Sequence, residues 1–102
     1  MRIAVTDIGR VFGRQTRAYA EYRVFSSLAH FGDVVNEAEV TLMPLVFDGS
    51  IARCRVVVTV AGGHRLRASA KGRHVYDAIN RAARRISDGV RRHTNVALSR
   101  GP

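Results

Sequence analysis

Apolar residues recur at two different periods along this chain, and each switch of period marks the edge of an element. From Arg2 to Asp7, Ile3 and Val5 alternate with Arg2, Ala4 and Thr6, the period-two pattern of a half-buried strand. Ile8 to Gly13 holds two glycines and reads as the connection out of it. From Gln15 the spacing becomes helical. Ala18, Tyr22, Phe25 and Ala29, widened by Tyr19 and Leu28, form the expected buried stripe, and Phe31-Gly32 closes the helix. Its start is poorly marked, because Gly13-Arg14 supplies no capping side chain.

Alternation returns over Asn36 to Phe47, where Ala38, Val40 and Leu42 face one way and Glu37, Glu39 and Thr41 the other. Pro44 has no amide hydrogen, so this strand should be frayed, bulged or at an edge there. Asp48-Gly49-Ser50 is turn chemistry. Ala52 to Val60 is a third strand, with Cys54, Val56, Val58 and Val60 inward and Arg53, Arg55, Val57 and Thr59 outward. Gly62-Gly63 signals a hairpin into a fourth strand, His64 to Lys71, with Leu66, Ala68 and Ala70 inward. A long helix then runs from about His74 to about His93 on a stripe of Val75, Ile79, Ala82, Ala83, Ile86 and Val90. Gly89 softens its last turns.

The order β-α-β-β-β-α gives alternating strands with one apolar face each and two amphipathic helices to cover it. The expected fold is a two-layer α+β domain, a four-stranded sheet with both helices on one face and the other face bare. Its 102 residues suit one domain, expected over 1–93, with a flexible basic tail over 94–102.

Charge sharpens the picture. Seventeen Lys and Arg against eight Asp and Glu leave a net +9, and the split is uneven. Residues 1–51 carry five Arg and six acids; residues 52–102 carry twelve basic residues and only Asp77 and Asp88. Such asymmetry favours a polyanion, nucleic acid before an anionic membrane. The single cysteine, Cys54, excludes an internal disulfide and suits a reducing compartment. No stretch resembles a signal peptide or a membrane span, so the chain is expected to be soluble and cytoplasmic.

Candidate chemistry is sparse. His30, His64, His74 and His93 lack metal-ligand spacing, so no metal site and no cofactor are expected. Glu37 and Glu39 share a strand face and could form an acid–base pair, yet alternation alone makes them solvent-facing carboxylates. Cys54 falls on an apolar face, where a thiol is a small inert hydrophobe. The positive signal is a basic surface. Arg53 and Arg55 share the outward face of strand three with Arg65, Arg67 and Lys71 of strand four, its hairpin neighbour. Like charges across a hairpin repel, so an external anion is expected to neutralise them. Arg73, Arg81, Arg84, Arg85, Arg91 and Arg92 extend the basic region along the last helix. The competing reading pairs some of these arginines with Glu37, Glu39 or Asp88. No aromatic residue lies among them for base stacking, so they should read the backbone and shape of folded RNA.

One segment carries a family likeness. Val60-Ala61-Gly62-Gly63-His64-Arg65-Leu66-Arg67-Ala68-Ser69-Ala70, followed by Val75-Tyr76-Asp77-Ala78-Ile79-Asn80, resembles the ribosome hibernation promoting factor and ribosome-associated inhibitor family. That family shows a Gly-Gly hairpin, a strand of alternating alanines, and a helix opening in Met-Tyr-Ala-Ala-Ile-Asp. Phe25, Leu28 and Phe31 resemble the close of its first helix. Here Arg73-His74 stand where acids usually precede the Met-Tyr pair, and the first helix has only Arg17 and Arg23 where relatives are richly basic. The resemblance implies a small-subunit ribosome binder that contacts ribosomal RNA and inhibits translation by occupying the messenger and transfer RNA channel during stress or stationary phase. It implies no enzymatic activity, core roles for Tyr76 and Ile79, and a short form without the second, dimerising domain of longer members. The alternatives are a general structured-RNA adaptor, and a protein-interaction module acting away from the ribosome.

Overall fold

A computed structural model describes the backbone of residues 1–45 and 51–99, and the side chains among them except those of 96–99. The order is β1 (Arg2–Asp7), a 3-10 turn (Ile8–Arg10), α1 (Arg14–Leu28), a second 3-10 turn (Ala29–Phe31), β2 (Val35–Pro44), β3 (Ala52–Val60), β4 (Arg65–Gly72) and α2 (Val75–Ser99). The strands form one sheet in the order β1-β2-β3-β4. β1 runs parallel to β2, as its crossover through α1 requires, and the other pairs are antiparallel.

The alternation read from the strands holds. Cys54, Val56, Val58 and Val60 are fully buried, joined by Ala38, Val40 and Leu42 from β2 and Ala70 from β4. α2 lays Ala78, Ile79, Ala82, Ala83, Ile86 and Val90 over β3 and β4, and α1 packs beside it against β1 and β2. This is the expected two-layer α+β domain with one bare sheet face. Gly62 and Gly63 adopt φ of 93° and 86°, which L side chains rarely reach, and so they close the β3–β4 hairpin. Gly72 is needed for room: a Cβ there would lie 2.8 Å from the Ala78 nitrogen. The absence of a side chain lets β4 turn directly into α2.

Four expectations need correction. The buried face of α1 is Thr16, Ala20, Val24 and Leu28, whereas Ala18, Tyr22, Phe25 and Ala29 are exposed. Apolar residues go most of the way round α1, so spacing alone admitted two stripes. The smaller Ala20 and Val24 are the ones packed into the layer beneath. Tyr76 is not a core residue but 42% exposed, with its ring edge-on to Tyr19 at 4.7 Å. The irregularity of β2 falls between Val35 and Glu37 rather than at Pro44, where the strand ends; Phe47, to which it was expected to run, lies outside the described residues. α2 continues to Ser99, so Thr94–Ser99 are helical where a tail was expected. Val90, fully buried beyond Gly89, keeps the helix anchored past the glycine. The Asp48-Gly49-Ser50 turn and residues 100–102 lie outside the described residues.

The loop that leads into α1 is pinned from β1, although α1 itself has no side-chain cap. Asp7, with its side chain 1% exposed, accepts hydrogen bonds from the backbone N–H groups of Val11, Phe12 and Gly13 at 2.9–3.3 Å. Arg17 pairs with the same carboxylate at 3.5 Å. Burial pushes the Asp7 carboxyl up, but the Gly13, Phe12 and Val11 amides and the Arg17 guanidinium outweigh it and hold it below its ordinary value of 3.8. A carboxyl lowered in the fold stabilises fully above its unfolded pKa and loses that stabilisation as pH falls through the folded one. Asp7→Asn should therefore cost about 1–3 kcal/mol at neutral pH, since it leaves a buried donor cluster poorly matched. Its thermal midpoint should converge on that of the wild type as pH drops below about 4. A gap that stays constant into strong acid would show that the ionised carboxylate is not the cause.

Candidate nucleic-acid interface

The bare sheet face can be read in rows across the strands. Arg2, Glu37, Thr59 and Arg65 form one, and Ala4, Glu39, Val57 and Arg67 the next. Thr6, Thr41, Arg55 and Ser69 follow, and then Met43, Arg53 and Lys71. Only Arg53 and Lys71 are like charges directly opposite one another. Arg55 meets Ser69 and Arg67 meets Val57, so most of the expected repulsion is relieved by stagger.

The face is not free of carboxylates. Arg65 reaches over β3 to Glu39 at 3.8 Å, and Arg2 pairs with Glu37 at 3.6 Å. Both pairs are well exposed and contribute little to stability. They nevertheless neutralise the hairpin end of the sheet. Arg53, Arg55 and Arg67 have no carboxylate partner among the described residues, so the uncompensated charge lies toward the opposite end.

The α2 arginines divide by helix face. β4 is an edge strand, and the Val60 amide donates to the His64 carbonyl at the start of the ladder, which turns the odd-numbered carbonyls of β4 outward. Arg85 donates to the Ser69 carbonyl at 2.6 Å and Arg81 to the Lys71 carbonyl at 3.4 Å. These two arginines close the sheet edge and carry the basic surface around from Arg55, Arg67 and Lys71, with Arg92 two turns along from Arg85. Arg73 is exposed in the turn into α2. Arg84 lies one turn beyond Asn80, whose side chain faces α1: its oxygen accepts from the Tyr19 hydroxyl at 2.6 Å and from Arg23 at 3.1 Å. Arg91, two turns beyond Arg84, pairs with Asp88 at 3.4 Å. The fold thus gathers Arg53, Arg55, Arg65, Arg67, Lys71, Arg81 and Arg85, while Arg84 and Arg91 point elsewhere.

Sequence reasoning missed Arg10 and Arg17. β1 is parallel to β2, so its C-terminal end lies at the end of the sheet where β3 begins and β4 finishes. Arg10, held at φ 53°, and Arg17 line a recess of about 420 Å³ there with Asp7. Only the parallel pairing, invisible in the N-terminal half read by itself, brings them to the same end of the sheet as Arg53 and Lys71.

Residues 5–96 match the family described as sigma 54 modulation protein / S30EA ribosomal protein. The chain belongs to this family. The likeness to hibernation factors read from the Gly-Gly hairpin and the opening of α2 is thereby borne out. Several solved structures share the fold. The N-terminal domain of protein Y from Thermus thermophilus is 24% identical, with a TM-score of 0.73 over 91% of this chain and 99% of that one. A ribosomal subunit interface protein from Coxiella burnetii is 12% identical, with a TM-score of 0.78 over 93% of this chain and 99% of that one. No curated protein matches significantly. This is a family of ribosome-associated factors and not a known enzyme family. No helix among the described residues is long and apolar enough to cross a membrane.

Neither candidate for catalysis has the geometry. Glu37 and Glu39 stand at the surface beside Arg2 and Arg65. Cys54 is fully buried, and burial pushes its thiol from 9.0 to about 12. Native protein should therefore resist thiol alkylation at pH 8, with labelling appearing only in denaturant. Rapid labelling of the folded chain would show that Cys54 is reached by solvent.

Proposed function

We propose that this chain binds the small ribosomal subunit through ribosomal RNA and inhibits translation by occupying the messenger and transfer RNA channel under stress or in stationary phase. The role is one of binding, carried out in the cytoplasm without catalytic turnover. Family membership supports a ribosomal partner. The observation that carries the RNA contact is the group of Arg53, Arg55 and Arg67, which strands hold on a bare sheet face with no carboxylate partner among the described residues.

The chemistry is that of phosphate recognition. Guanidinium groups fork onto phosphate oxygens, and strands hold them at fixed spacing, so a folded RNA surface can be met without ordering the protein first. Arg81 and Arg85 extend the contact around the β4 edge, and Arg73, Arg84, Arg91, Arg92, Arg65 and Lys71 add to the surrounding positive field. No aromatic ring interrupts the arginine rows for base stacking, which favours backbone and shape over sequence. Inhibition is steric: a folded body of about 49 × 25 × 19 Å fills a cleft that translation needs.

Binding to small subunits should weaken steeply with salt, each neutralised phosphate adding about 0.7–0.9 to the logarithmic slope. Replacing Arg55 and Arg67 together by Glu should abolish co-sedimentation and leave the thermal midpoint nearly unchanged, since both side chains are exposed and neither pairs with a carboxylate among the described residues. Arg65→Glu is a less clean variant, because it sets two acids together at Glu39. Undiminished co-sedimentation of the double variant would overturn the assignment of this face. Equal affinity for an arbitrary RNA duplex would point instead to a general RNA adaptor.

A further inference from the structure

The two edges of the sheet are treated differently. On β4 the outward carbonyls of Ser69 and Lys71 receive Arg85 and Arg81. On β1 no described residue pairs with the outer edge. β1 also has none of the usual protections: it contains no proline, no bulge and no charge at its centre. Arg2 and Asp7 stand at its ends, and Asp7 is turned into the amides of the following loop. Beside this edge runs a groove of about 380 Å³ lined by Met1, Ile3, Ala18, Glu21, Tyr22 and Phe25. Tyr22 is 65% exposed and Phe25 50%, a large apolar area for a monomer to leave in water.

We propose that β1 is a self-association edge, taking the β1 strand of a second copy of this chain antiparallel about a two-fold axis through Ala4. Side-chain alternation restricts the register, because residues directly opposite must lie on the same face of the joined sheet. With Ala4 opposite Ala4 of the other copy, Ile3 stands opposite Val5 on the helix side and Arg2 opposite Thr6 on the bare side. No like charges meet. The joined sheets set the two α1 helices side by side, with Tyr22 and Phe25 of each filling the seam. This places in an interface the very side chains that the fold of one copy leaves uncovered.

Charge selects a second copy as the occupant. A molecule of net +9 is repelled by its own kind except where its surface is close to neutral. Residues 1–45, which supply β1, α1 and β2, carry five Arg and five acids; Glu37 and Glu39 stand on the strand beside β1, and the groove itself holds Glu21. The excess of positive charge lies on β3, β4 and α2, and pairing through β1 holds the two basic surfaces at opposite ends of the assembly. The edge is also self-complementary, as a two-fold interface must be: small at its centre, apolar on one side, polar on the other.

Cross-linking and sedimentation test this with the full chain. Ala4→Cys should form a covalent dimer on mild oxidation, because residues facing across an antiparallel pair have Cβ atoms about 4.5–5.5 Å apart. Thr6→Cys should not, since the axis separates its two copies along the strand, and the buried Cys54 takes no part. In sedimentation equilibrium the wild type should rise toward twice the monomer mass with concentration. Phe25→Glu, at an exposed position, should weaken that association by about tenfold or more. A monomer at every concentration would overturn the proposal. So would equal cross-linking of the two cysteine variants, or an edge that accepts a foreign strand while showing no self-association.

Discussion

The strict two-sidedness of β3 is the constraint from which the remaining structure follows. Cys54, Val56, Val58 and Val60 are withdrawn from water on one side, and Arg53 and Arg55 stand on the other. A one-residue slip would bury guanidinium groups without partners, at a cost far beyond the stability of a small domain. The helices must therefore share a single face, and the charged face must stay open. α2 meets this demand with a stripe of small and branched side chains, and the close approach at Gly72 sets its direction.

Once one face is committed, the polar groups at the margins of the sheet need partners. Asp7 takes up the amides of the loop before α1 and so fixes how the chain enters that helix. Arg81 and Arg85 close the β4 edge by donating to its outward carbonyls. These arginines serve the fold and the basic surface together, whereas Arg53, Arg55 and Arg67 have no carboxylate partner among the described residues. That division separates charge the domain uses on itself from charge it leaves exposed on the sheet face. The hairpin end, where Arg65 meets Glu39 and Arg2 meets Glu37, belongs to the first kind.

The pattern of residues by itself determined the element order, the buried positions of β2, β3, β4 and α2, and the clustering of Arg53, Arg55, Arg65, Arg67 and Lys71 on one face. Each follows from local periodicity, which needs no knowledge of neighbours. The short Gly-Gly hairpin even settles which strands adjoin. What only the tertiary structure decided is what periodicity leaves degenerate or cannot reach. α1 is apolar on more than one side, so its buried face depended on what lay beneath it, and Ala20 and Val24 went inward while Tyr22 and Phe25 stayed outside. Parallel pairing of β1 brought Arg10 and Arg17 to the Arg53 end of the sheet. The turn of Arg81 and Arg85 onto β4, and of Arg84 and Asn80 away from it, depended on the angle at which α2 lies across the sheet. Contacts between residues distant in the chain carry no period, and that is why they were not legible there.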